Sequence, residues 1–222
     1  MNIFINISGV FKEEACSLPE SLSVGLEGTE GSCCYCSKEA EAVIREAIAS
    51  LPVQAVHWID TGDYHYISKF WMEKITEPFV LALFDKHSDD KDSAFGGLLS
   101  CGNWVRRARE ELPLMKADYL NIRDIPGDLP VYLSIDMDIM PRQFARTDWD
   151  QGQKSLDELL SDLGTIASGH RILGVDVCGG LTIAKGAKAE DLSVNSRTRQ
   201  IIAAYLSSWN ITCSQSSRPS KA

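Results

Sequence analysis

With 222 residues, 44% of them hydrophobic and 24% charged, the chain has the make-up of an ordinary globular protein built on one core. A formal net charge of −9 argues against a nucleic-acid surface, which needs clustered lysine and arginine, and no apolar run approaches the roughly 20 residues of a membrane span. The expected partner is a small-molecule substrate, with a homo-oligomer left open, and the carboxylates are the place to look for chemistry.

The chain opens on a strand expected over residues 2–8, followed by another at 22–26. The amino terminus lacks the basic start of a signal peptide, and seven scattered cysteines, an odd number, fit free thiols in a reducing cytoplasm. Cys33-Cys34-Tyr35-Cys36 contains a C-x-x-C spacing. A zinc site there would need a fourth ligand and a redox motif would open a helix after a strand, so free thiols in a loop are the expectation. A helix near 38–50 precedes a strand at 53–59, inside which His57 reads as a satisfied core histidine. After a helix near 66–76 comes a strand at 79–84, whose run Val80-Leu81-Ala82-Leu83-Phe84 is continuously apolar, as in a strand covered on both faces. A helix near 102–112 carries Arg106, Arg107 and Arg109 on what reads as a solvated face, and a weaker strand is expected at 118–122. Strands at 131–135 and 172–177 enclose a helix at 155–168, which Ser155 and Glu158 open as a capping box. A last helix is expected at 196–208. The alternation predicts a three-layer α/β/α fold around a mainly parallel central sheet, as a single domain over residues 1–211 with a polar tail at 212–222.

In open parallel sheets, ligands bind beyond the carboxyl ends of the strands. Three expected strand ends carry polar clusters: Asp60-Thr61-Gly62-Asp63-Tyr64-His65, Asp85-Lys86-His87-Ser88-Asp89 and Asp136-Met137-Asp138. In extended or gently turning chain, residues i, i+2 and i+4 project to one side, so Asp85, His87 and Asp89 converge, as do Asp136 and Asp138. Carboxylates held that close repel one another unless a cation neutralises them. Each cluster alone has an ordinary reading: a D-x-D as a turn or helix cap, a histidine as a solvated or hydrogen-bonded side chain. Three of them at strand ends in one chain point to metal. Five or six oxygen and nitrogen donors without a thiolate exceed what one tetrahedral zinc ion takes, and they suit Mn²⁺ or a carboxylate-bridged pair of such ions.

These motifs resemble those of the ureohydrolases, the arginase and agmatinase family, over roughly residues 50–180. Gly62-Asp63-Tyr64-His65, Asp85 to Asp89, and Ser134-Ile135-Asp136-Met137-Asp138 stand where that family has Gly-Asp-His, D-x-H-x-D and S-x-D-x-D. The resemblance implies an arginase/deacetylase-like fold and a binuclear centre of two Mn²⁺ ions per chain. Asp85 and Asp136 would bridge both ions, His65 and Asp89 would complete one shell, and His87 and Asp138 the other. It further implies a hydrolase that breaks a C–N bond of a guanidino, amidino or amide small molecule through a metal-bridging hydroxide. Asp89 would orient that nucleophile, and Asp138 or a water would relay its proton to the leaving amine. Asp176, in Val175-Asp176-Val177-Cys178, either receives the substrate's guanidinium group, as a late strand-end carboxylate does in the family, or caps the following turn.

The chain departs from the family pattern in three places. Tyr64 is inserted between Asp63 and His65. Ser100-Cys101-Gly102-Asn103-Trp104 has no counterpart to the family's shuttle histidine. Met140-Pro141 and Thr147 to Gly152 replace its Pro-rich loop. Two alternatives follow: a metal-binding but catalytically inactive relative, and a zinc deacetylase-like amidohydrolase. The second would use a pair of adjacent histidines, which the chain lacks.

Overall fold

Continuously apolar strands need cover on both faces, and the computed structural model, which describes residues 1–93, 95–120 and 124–209, gives it to them. In chain order its first elements are β1 (Asn2–Asn6), α1 (Val10–Glu13), β2 (Ser21–Gly25), β3 (Tyr35–Cys36), α2 (Lys38–Ile48), β4 (Val56–Ile59), α3 (Ile67–Met72) and β5 (Phe79–Phe84). There follow β6 (Leu99–Ser100), α4 (Trp104–Glu111), β7 (Met115–Tyr119), β8 (Val131–Asp136), α5 (Leu156–Gly169), β9 (Ile172–Cys178) and α6 (Ala189–Ser207).

Seven of the strands form one sheet in the order β2-β1-β4-β9-β8-β5-β7, and every neighbouring pair is parallel. The expected sheet was mainly parallel; the observed one is wholly so. Alternation along each strand splits the core in two. Ile3, Ile5, Leu81 and Leu83 pack with Ile44, Phe70, Trp71 and Trp104 of α2, α3 and α4 on one face. Phe4, Val80, Ala82, Phe84, Leu133 and Ile135 pack with Leu159, Leu163, Ile202 and Leu206 of α5 and α6 on the other. Burial of each such aliphatic side chain contributes roughly 1.5–3 kcal/mol, which is what holds the three layers together.

The capping box of α5 is present: Ser155 accepts from the Glu158 backbone N–H, and Glu158 accepts from that of Ser155. The last helix begins at Ala189 rather than near 196, because the Asp191 carboxylate accepts from the Lys188 N–H at 2.9 Å and starts the helix on a polar, mostly exposed turn. α3 stops at Met72, short of the expected 76. β3 and β6, which the sequence pattern did not announce, form an antiparallel ribbon with Tyr35 opposite Ser100 and Cys36 opposite Leu99. No helix among the described residues is long and apolar enough to cross a membrane. The tail at 212–222 and positions 121–122 of the weaker strand lie outside the described residues.

Candidate metal centre

Four adjacent central strands, β4, β9, β8 and β5, end on the same side of the sheet, and the polar clusters leave from there. After β4 the chain makes a short 3-10 turn at Gly62–Tyr64. That turn absorbs the inserted Tyr64 and still delivers His65 inward: its Nδ1 lies 3.2 Å from Asp85 Oδ2, 3.3 Å from Asp89 Oδ2 and 3.4 Å from Asp136 Oδ2. Asp89 takes a left-handed backbone conformation (φ 48°), which aspartate tolerates better than most residues, and its Oδ2 also accepts from Trp104 Nε1 at 2.6 Å. His87 Nδ1 lies 2.9 Å from Asp138 Oδ2 and 3.5 Å from Asp85 Oδ1. Two donor groups result, His65 with Asp85 and Asp89, and Asp85 with His87 and Asp138; within each, one ligand atom per residue falls inside 4.8 Å of the others. Asp85 belongs to both. Asp136 joins His65 in a third such group, together with Cys178. All six residues that the motifs singled out are therefore drawn to one place.

Backbone amides aim the carboxylates. Asp138 Oδ1 accepts from the Lys86 N–H at 3.1 Å, Asp136 Oδ1 from the Asp138 N–H at 3.0 Å, and Asp85 Oδ1 from the His87 N–H at 2.6 Å. Gly179, at φ 107°, closes the floor, because a Cβ there would stand 2.9 Å from Asp136 Oδ1. Beneath His65 runs a buried relay. His65 Nε2 is 2.8 Å from Ser134 Oγ, which donates to Asp176 Oδ1 at 2.6 Å. With Nε2–H donating to the serine, the lone pair of Nδ1 faces the carboxylates; that buried nitrogen has no hydrogen-bond partner.

The electrostatics are those of anions crowded without enough positive charge. Burial, then repulsion from Asp136 and Asp85, pushes the Asp138 carboxyl up to about 10. Burial, then Asp85, pushes Asp136 up to about 7. Burial also raises Asp89. At Asp85 burial is outweighed by the adjoining His65 and His87 imidazoles, which hold it low. Burial would depress the His65 imidazole, but the surrounding carboxylates outweigh it and push it well above its ordinary value. Without a cation, protons do the neutralising. An orphaned imidazole nitrogen, an oxygen-and-nitrogen donor set and carboxylates that repel one another all fit divalent cations in this position.

Asp176 is elsewhere. It is fully buried, takes Ser134 as its partner and leaves Oδ2 unpaired, with Tyr132 and Ser68 beside it. It is not among the cleft-lining residues, so its place does not match the expectation that it receives a substrate's guanidinium group. It does not cap a turn either; it anchors the relay. The cleft, a narrow one, is lined by Gly62, Lys91, Cys101, Gly102 and Trp149 around the acidic cluster. A side chain at Gly62 would meet Trp149 Cδ1 at 2.9 Å, so that position keeps the floor open. Ser134 was in the motif, two residues before Asp136 on the same strand face. Trp104, Lys91 and Trp149 carried no signal in spacing. His57 is buried as expected, stacked on Trp71 at 3.7 Å and bonded to Tyr132 Oη and the Pro52 carbonyl.

No family model matches the chain. It is 34% identical over 143 residues to an uncharacterized protein of Thermotoga maritima, a stretch that covers 56% of this chain and 57% of that protein; the match thus spans little more than half of the relative's length. Among solved structures it is similar to the proclavaminate amidino hydrolase of Streptomyces clavuligerus (TM-score 0.63, 16% identity, 92% of this chain and 90% of that one). It is similar also to the agmatine ureohydrolase of Thermoplasma volcanium (TM-score 0.62, 13% identity, 92% and 89%) and to the arginase of Bacillus caldovelox (TM-score 0.59, 13% identity, 90% and 96%). At such identities the likeness establishes the fold: the chain is arginase-like in architecture, as its motifs led one to expect.

Proposed function

We propose that the chain is a metal-dependent hydrolase that breaks a C–N bond in a guanidino, amidino or amide small molecule, using two Mn²⁺ ions. The observation that carries this reading is the shared position of Asp85 in two donor groups, with His65 Nδ1 unpartnered against three carboxylate oxygens. His65, Asp85, Asp89 and Asp136 would hold one ion, and Asp85, Asp136, His87 and Asp138 the other. When bound, the ions supply Lewis-acid activation of a water nucleophile at neutral pH.

The side chains do the rest. Asp89, fixed by Trp104 Nε1, orients the nucleophile through its second oxygen. Asp138, at the cleft wall, accepts the nucleophile's proton and hands it to the leaving amine. Trp149 narrows the cleft from the other side, and its buried indole N–H has no acceptor of its own.

The reading is tested by Mn²⁺-dependent release of urea or ammonia from a panel of guanidino, amidino and amide compounds, abolished in Asp136→Asn. Protein prepared with Mn²⁺ that carries only trace metal by elemental analysis would sink it. One observation favours a metal-binding chain without turnover: Cys101 and Gly102 line the cleft, and no histidine other than His87 does so. Full metal occupancy with no product from any compound in the panel would select that second reading.

A further inference from the structure

Consecutive residues of an extended chain point to opposite sides, yet Cys33 and Cys34 point to one. Cys34 sits in the left-handed region at φ 58°, a conformation that costs a non-glycine residue on the order of 1–3 kcal/mol and is kept where the surroundings demand it. As a result both thiols meet the same carboxylate. Cys33 Sγ donates to Asp63 Oδ2 at 3.6 Å and Cys34 Sγ to Asp63 Oδ1 at 3.3 Å, with one ligand atom from each of the three within 4.8 Å of the others. Asp63 is buried, and its charge is answered by Lys185 Nζ, which it shares with Asp148. A third thiol adjoins. Cys101 continues the β3–β6 ribbon opposite Cys34, and its N–H donates to the Cys34 carbonyl at 2.9 Å. Cys36, by contrast, is buried in the core and takes no part.

We propose that Cys33, Cys34 and Asp63 form a separate site for one thiophilic divalent cation of the zinc class at the rim of the acidic cleft. Two sulfurs and one oxygen within 4.8 Å of one another leave the fourth position of a tetrahedral ion to water, where the neighbouring cluster offers oxygen and nitrogen. The two sites therefore sort cations by softness. Binding sends the thiol protons to solvent and releases Lys185 from Asp63 while leaving it with Asp148. The ion would tie the loop bearing Cys33 and Cys34 to the turn that delivers His65, since Asp63 begins the residues leading into it. The C-x-x-C spacing offers thiols and no carboxylate; Asp63 comes from the turn after β4, 30 residues on from Cys33.

The test uses the full chain, freed of metal with a chelator and titrated with Co²⁺ and with Zn²⁺. Wild-type protein should show a thiolate-to-cobalt charge-transfer band at one equivalent, and Cys33→Ser/Cys34→Ser should lose it. Asp136→Asn and Cys178→Ser should keep it, because they alter only the acidic cluster; the result thus stands or falls apart from the hydrolase reading. In the unsubstituted chain, Zn²⁺ should slow iodoacetamide alkylation of Cys33 and Cys34 by at least about tenfold, read by peptide mass spectrometry. Absence of the band in wild type, its survival in the double variant, or alkylation indifferent to Zn²⁺ would each overturn the proposal.

Discussion

Asp60 and Asp136 occupy matching places, one just past β4 and the other at the end of β8, two strands away in the same sheet, and both are buried. Burial raises the carboxyl of each. Asp60 is then met by the Ile7 N–H at 2.7 Å, the Ser8 N–H at 2.8 Å, the Thr61 N–H at 2.7 Å and the Ser8 hydroxyl. Asp136 receives one backbone N–H and otherwise faces Asp85, Asp89 and an imidazole nitrogen without a partner. The protein has answered one buried charge from its own backbone and left the other to be answered from outside. Buried carboxylates are thus told apart by their donors rather than by their depth: the first kind holds a fold together, the second receives a ligand.

The contrast can be broken experimentally. Asp136→Asn removes one of the proposed shared ligands, so Mn²⁺ affinity measured by calorimetry should fall by more than the roughly 10–100-fold typical of outer-sphere changes, with little loss of stability in the metal-free protein. Asp60→Ala should do the reverse. It strands three backbone donors and a hydroxyl, for a loss of about 3 kcal/mol or more in urea unfolding, while the variant that remains folded binds Mn²⁺ as wild type does. If Asp136→Asn destabilises the metal-free chain as much as Asp60→Ala, the distinction fails. Ser134→Ala sharpens it from the middle: cutting His65 from Asp176 should weaken Mn²⁺ binding by about 10–100-fold and leave the ligands in place.

His57 supplies a control, being buried and answered on both nitrogens. Burial lowers its pKa to about 3 from 6.5. Between those values the unfolded chain takes up a proton that the folded chain refuses, so stability falls as pH drops through that window. The contribution is up to about 1.4 kcal/mol per pH unit and should vanish from the difference between wild type and His57→Gln, followed by denaturant unfolding from pH 7 to pH 4. Identical slopes for the two proteins would refute it.

What was legible in the sequence follows from range. Asp85, His87 and Asp89, like Asp136 and Asp138, lie within a few residues of one another, and extended-chain geometry alone aims them. The apolar runs of β5 and β8 and the Ser155–Glu158 cap are equally local. His65 was reachable through the motif but not through spacing, since only the turn at Gly62–Tyr64 shows how an extra residue is taken up. Illegible were the features made by distant partners. The buried pair of Glu14 and Arg199, 2.7 Å apart, joins α1 to α6. Asp176 owes its depth to Ser134 on the neighbouring strand. The two-residue strands β3 and β6 are too short for any periodicity, and with them went the meeting of Cys34 and Cys101.

The sheet order has a consequence for how the molecule is made. β9, the last of the described strands, inserts between β4 and β8, so β4 ends at Ile59 and waits for a neighbour that begins at Ile172. Until that strand arrives, two interior edges of a parallel sheet stand open, and Asp60, Asp85 and Asp136 belong to halves not yet joined. Contacts this remote slow folding and leave sticky edges exposed during synthesis. A divalent ion added to a refolding chain should therefore act late, locking a finished sheet rather than nucleating it, and should slow unfolding far more than it speeds folding.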